Sequence, residues 1–200
     1  MNKNFFALEK DRRNQILNGA FRVFGENEYR KASTAEIAAA GGISKSLLFH
    51  YFGSKKALYL FLYDCGYDVI RENMRLETCG CRDDFFALLK WTNVKKLEIM
   101  QTYPDLFRFL VRAYFDEKSE ASAEIREKNM QLTGNSIEHI LAAVNPTKFK
   151  EGLDIRTLLK IIIWTSEGFM REQNIRALST GEATAEFNQI LDMLQGCFYK

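Results

Sequence analysis

Residues Ser33 to Leu58, STAEIAAAGGISKSLLFHYFGSKKAL, leave the fold little freedom. Ser33 with Glu36 three residues later has the spacing of a helix-capping pair, which predicts a short helix beginning near Thr34. Gly41-Gly42 stops that helix, because glycine enters the left-handed backbone of a helix end at little cost. Ile43 then points inward, and Ser44 caps a second helix reaching Phe49 or His50. Ala38 is the small residue a close helix crossing needs, and Ile37, Ile43 and Leu48 form the apolar seam. The pattern is a helix-turn-helix with Lys45, Ser46, His50, Tyr51 and Lys55 on its outer face. A unit of this kind reads DNA.

Charge agrees once it is divided along the chain. The net value of +2 is mild, but residues 1–60 hold ten Lys/Arg against five Asp/Glu, which leaves −3 for the remainder. A basic head on an acidic body suits a protein that meets phosphates with one end. The start, MNKNFFALEKDRR, lacks the long apolar run of a signal peptide. Nothing approaches the roughly 20 apolar residues of a membrane span; Ile161-Ile162-Ile163-Trp164 is short. Cys65, Cys79, Cys81 and Cys197 do not make a secreted disulfide framework in a chain this long. The expectation is a cytoplasmic protein with no membrane partner.

Two prolines and abundant Leu, Ala, Glu, Lys and Phe favour helix throughout. A first helix is expected over Phe6–Glu26, with Ile16, Leu17, Ala20, Val23 and Phe24 as its apolar stripe. Lys10, Arg12, Arg13 and Arg22 read as its solvated face. Ser54 caps a long helix expected from Lys55 to Thr78, the link from head to body. Helices follow over Asp83–Gln101, Asp105–Phe115, Ser119–Val144, Ile155–Leu178 and Ala183–Tyr199. Breaks fall at Tyr103-Pro104 and across Asn145-Pro146 to Gly152. In the last helix Phe187, Leu191, Leu194 and Phe198 make a narrow seam. Gly168 in mid-helix costs about 1 kcal/mol relative to Ala, which suggests another backbone close by.

The segment SKSLLFHYFGSKKAL resembles the end of the DNA-binding domain in the TetR family of one-component regulators, and Arg13, Ile16, Leu17, Ala20 and Phe24 match that family's first helix. The motif-bearing match covers about the first quarter of the chain. It departs from the family at Glu26-Asn27-Glu28-Tyr29, where a glycine is usual. The resemblance implies an all-α protein: a three-helix DNA-binding domain over 1–54, then a larger helical effector-binding and dimerisation domain over 55–200. It also implies a homodimer on a partly palindromic operator in double-stranded DNA, a repressor released by a small-molecule effector.

For the DNA face the resemblance gives Thr34 a phosphate contact, against the alternative of a second capping hydroxyl. Ser44, Lys45 and Ser46 stand at the end of the recognition helix that enters the major groove, where a lysine donates to guanine or to phosphate. Leu47 faces outward, to a thymine methyl or to solvent. His50 and Tyr51 match phosphate-contacting positions. Lys55 sits at a positive helix end, an unfavourable place unless a phosphate lies there.

In the body, Phe86, Trp91, Tyr103, Phe107, Tyr114 and Trp164 are candidates to line an apolar effector pocket, each weighed against a plain core role. The dimer interface is assigned to Trp164, Gly168, Phe187, Leu191, Leu194 and Phe198 in the last two helices. Cys79-x-Cys81 reads as two reduced thiols in a loop, with a redox- or metal-responsive regulator as the alternative. Zinc would need about four ligands, and His50 and His139 are the only histidines. No metal or cofactor is expected. No Gly-rich phosphate loop, nucleophile elbow or His-Glu-x-x-His pair suggests an enzyme. A helical adaptor that does not bind DNA remains the other class.

Overall fold

The helical periodicity and turn glycines produce ten α-helices and no strand among the described residues. The computed structural model describes residues 3–81, 83–176 and 180–200, without the side chains of 76, 173–176 and 180. The helices are α1 Lys3–Phe6, α2 Lys10–Glu26, α3 Thr34–Ala40, α4 Lys45–Phe52, α5 Lys55–Asn73, α6 Phe85–Thr102, α7 Pro104–Phe115, α8 Ser122–Ala143, α9 Ile155–Arg176 and α10 Thr180–Phe198. They form two compact units, residues 1–72 with 99–130 and residues 73–98 with 131–200.

In the first unit, α2 buries Ile16, Ala20, Phe21, Val23 and Phe24 and packs on α3 and α7. Aromatic edges lock this core: the Tyr59 ring lies 4.9 Å from Phe24 and 5.0 Å from Phe109. The connection after α2 needs no glycine. Asn27 is extended at φ −121°, its Nδ2 donates to the Val23 carbonyl at 3.0 Å, and Tyr29 is buried against Phe24. The expected helix from Phe6 is instead two pieces. Arg13 donates to the carbonyls of Phe6 (2.8 Å) and Leu8 (2.5 Å), so the chain turns before α2 begins at Lys10. The expected boundary after Ser54 falls inside this unit, because α5 shares its core.

The second unit has its own core of Phe85, Phe86, Leu88 and Leu89 from α6, Leu158, Leu159 and Ile162 from α9, and Phe187 and Leu191 from α10. Polar ties join α6 to α10: Lys90 to Asp192, and Asn93 Nδ2 to Asn188 Oδ1 at 2.9 Å. The chain end closes the unit, where the Tyr199 hydroxyl accepts from the Phe85 N–H at 3.0 Å and donates to Asp84 Oδ1 at 3.1 Å. Helix α5 stops at Asn73, and a short 3-10 turn over Leu76–Thr78 replaces its expected last turn. The expected helix end at Leu178 lies outside the described residues. Cys79 and Cys81 are joined as a disulfide across Gly80, with Cα atoms 5.3 Å apart, so the reading of two reduced thiols is corrected.

Candidate nucleic-acid interface

The turn between α3 and α4 is fixed by backbone bonds that the sequence dictates. Gly42 takes φ +67°, the Ile43 N–H reaches the Ala38 carbonyl at 2.9 Å, and the Gly42 N–H reaches Ala39 at 3.0 Å. This Schellman closure satisfies two end carbonyls and needs a residue without a Cβ at position 42. Arg12 adds a tie from α2, with Nη2 donating to the Gly42 carbonyl at 2.5 Å, so it is more than part of a solvated face. Helix α3 lies directly on α2. A Cβ at Gly19 would come within 2.5 Å of the Ala40 carbonyl carbon. Sequence reasoning placed the small residue of this motif at Ala38; Gly19 and Gly41 are the ones that set the α2–α3 approach. The signal was the glycine inside α2, where helix propensity alone disfavours it.

The caps orient the two helices. Ser33 Oγ accepts from the Ala35 N–H at 3.2 Å, and Ser44 Oγ accepts from the Leu47 N–H at 3.1 Å. Thr34 is the half-buried first residue of α3. Ser44, Lys45 and Ser46 are exposed at the start of α4, and His50 is exposed in its last turn. Leu47 is half-buried and packs on the core, whereas Phe49 is the exposed apolar side chain of this helix.

Two candidates stand differently from the rest. Tyr51 is only 7% exposed, its ring edge-on to Phe5 at 5.7 Å, so its main company is the core. Lys55 Nζ lies 4.6 Å from the centre of the Tyr29 ring, a cation over an aromatic face. Desolvation lowers the pKa of this ammonium, and the Glu120 carboxylate acts in the opposite sense. Those two neighbours account for a cation at the head of α5 without a phosphate. The Tyr29 phenol, which donates to Glu120 Oε2 at 3.5 Å, is pushed up to about 12 by burial and by that carboxylate. The outer face of the motif is thus Ser44, Lys45, Ser46 and His50, flanked by Thr34.

The effector candidates fall in both units. Phe86, Trp91 and Trp164 belong to the second unit, and Tyr103, Phe107 and Tyr114 to the first. Phe86 is buried among Phe85, Phe149 and Tyr199, which is a core position. Trp164 is 65% exposed and points away from its unit's core. The dimer candidates also divide. Phe187 and Leu191 are buried in the chain's own core, with half-buried Leu194 and Phe198 packed against them, so this seam holds α10 to its own unit. The outward apolar residues are Ile161, Trp164 and Met193. Gly168 has nothing within 4 Å of a Cβ among the described residues, so no backbone among them explains it. Among the described residues no group of three metal-ligating side chains occurs, and no helix is long and apolar enough to cross a membrane.

A rigid three-helix head with a capped, polar-faced second helix defines a helix-turn-helix DNA-binding protein. Residues 16–61 match the family model described as bacterial regulatory proteins, tetR family. The transcriptional repressor AcnR of Corynebacterium glutamicum is 28% identical over 195 residues, covering 94% of this chain and 93% of its own length. The repressor Rv1474c of Mycobacterium tuberculosis is 45% identical over 51 residues, 26% of this chain and 27% of its own. A TetR-family regulator from Chloroflexus aurantiacus has the same fold, with a TM-score of 0.68 at 21% identity over 100% of this chain and 98% of its own. The chain thus carries the tetR-family DNA-binding region over residues 16–61 and is similar along most of its length to a repressor of that family. It is a DNA-binding regulator and not an enzyme.

Proposed function

We propose that the protein is a cytoplasmic repressor that binds a partly palindromic operator as a homodimer and leaves it when a small apolar or aromatic effector is bound. The observation that carries this reading is the start of α4, where Lys45 and Ser46 project from a helix end fixed by the Ser44 cap and the Gly42 turn. In this motif that end of the recognition helix meets base edges, and Thr34 and His50 suit the adjoining phosphates. Residues 1–54 read DNA, and 55–200 bind the effector and the second chain. The dimer forms through the outward faces of α9 and α10, with Ile161, Trp164, Gly168 and Met193 in contact. Effector binding shifts the population toward heads wrongly spaced for successive major grooves. Selection of operators from random duplexes tests the reading, followed by a salt titration of the selected site. Duplex binding that is weak and independent of salt points instead to a helical adaptor.

A redox-responsive regulator is the second reading, favoured by the Cys79–Cys81 disulfide. Operator affinity measured with and without a dithiol reductant decides. A change that disappears in a Cys79→Ser, Cys81→Ser double variant supports it.

A further inference from the structure

The short helix α1 lies far outside the motif in sequence, yet it meets the end of the recognition helix. Four residues cannot hold a helix in water unaided. Phe5 supplies the hold: it is 1% exposed, with its ring 4.9 Å from Phe52, 5.7 Å from Tyr51 and 5.9 Å from Phe61. Arg13 clamps the backbone just beyond, through the Phe6 and Leu8 carbonyls. Thus anchored, Asn4 places Nδ2 at 3.2 Å from His50 Nε2.

We propose that the segment Lys3–Phe6 is part of the DNA-reading surface, with Phe5 as its anchor and Asn4 as the positioning residue for His50. The inference rests on the reading of His50 as a DNA contact. An asparagine amide suits that task in both charge states of the imidazole. It donates Nδ2–H to a neutral ring whose Nε2 accepts, and after a flip it offers Oδ1 to a protonated one. In both arrangements the His50 Nδ1 carries a proton, and a hydrogen-bond donor is what a phosphate oxygen requires.

A double-mutant cycle on a selected operator tests this: wild type, Asn4→Ala, His50→Ala and both together, with thermal unfolding of each as a control. Both side chains are exposed, so all four proteins should unfold alike. Each single change should weaken operator binding roughly three- to tenfold, and Asn4→Ala should add nothing once His50 is gone. Weaker binding by His50→Ala with none by Asn4→Ala overturns the inference alone. Additive losses also overturn it, because Asn4 would then act independently of His50. No effect of His50→Ala overturns both the inference and the reading on which it stands.

Discussion

Gly19 offers a test in which two physical effects oppose each other. Replacing an interior helix glycine by alanine ordinarily stabilises by about 1 kcal/mol, through the entropy the unfolded chain no longer loses. At Gly19 the new Cβ would lie 2.5 Å from the Ala40 carbonyl carbon, 2.6 Å from its oxygen and 2.6 Å from the Gly41 nitrogen. All three are backbone atoms, so no side chain can rotate away. Helix α3 must retreat from α2 by about 1 Å to reach ordinary contact, and forced overpacking of this kind costs about 1–3 kcal/mol. Strain therefore wins, and Gly19→Ala should lose up to about 2 kcal/mol net. Gly134, exposed in mid-α8 with nothing within 4 Å, is the control, and Gly134→Ala should gain up to about 1 kcal/mol. Urea unfolding at one fixed protein concentration reads both signs. Operator affinity should fall with Gly19→Ala alone, since moving α3 disturbs the turn that Arg12 holds at Gly42. A Gly19→Ala protein more stable than wild type, as Gly134→Ala should be, would refute the close approach of α2 and α3.

The outward face of α9 predicts that Trp164→Glu leaves the helical signal intact and shifts sedimentation from dimer to monomer. Leu191→Lys should instead unfold the second unit, because it places a charge where the side chain is 0% exposed. For DNA, Lys45→Ala should lower the salt slope of operator binding by about one and change preference among operator variants. Lys55→Ala should change the slope less and lower stability, since its ammonium faces Tyr29 and Glu120. Among thiols, exposed Cys197 should alkylate first. Burial, with Asp68 and Asp64 nearby, pushes the Cys65 thiol up to about 12, so at pH 8 it should react only on unfolding, while Cys79 and Cys81 should react only after reduction.

The head was legible because its rules are local. The Ser44 cap, the glycine turn and the seam of Ile37 and Leu48 depend on residues within one helix turn of each other, and the structure places each where spacing predicts. Short α1 was not legible, because four residues carry no periodic signal and Phe5 is held by rings 46 to 56 positions away. Lys55 was legible only in part: its position in the motif is local, but Glu120 arrives from a distant segment. The α10 seam shows the limit of periodicity itself. Steps of four and three at Phe187, Leu191, Leu194 and Phe198 prove an apolar face, and say nothing about whether its own chain or another covers it. Here its own core covers Phe187 and Leu191 and leaves Leu194 and Phe198 half-buried.

The first unit is larger than the DNA-binding head. That unit contains α7 and the start of α8 as well as the head, and the ties are polar and specific. Arg112 Nε donates to the Gly25 carbonyl at 2.9 Å, Lys56 pairs with Glu124 at 2.5 Å, and Lys128 pairs with Asp64. The chain passes between the two units at 72–73, 98–99 and 130–131, and the last two crossings run inside the continuous helices α6 and α8. Asn129 stands beside the crossing in α8, and its Oδ1 accepts from the Tyr63 phenol and, at 3.1 Å, from the Tyr67 phenol of α5. Burial drives the Tyr63 pKa well above its ordinary value, which marks a hydroxyl with little water to replace a lost partner. Leaving one such group unsatisfied costs about 1–3 kcal/mol. Asn129 serves two phenols at once, so Asn129→Ala should lower stability by an amount in that range, read by urea unfolding, and a variant as stable as wild type would refute the tie between α5 and α8.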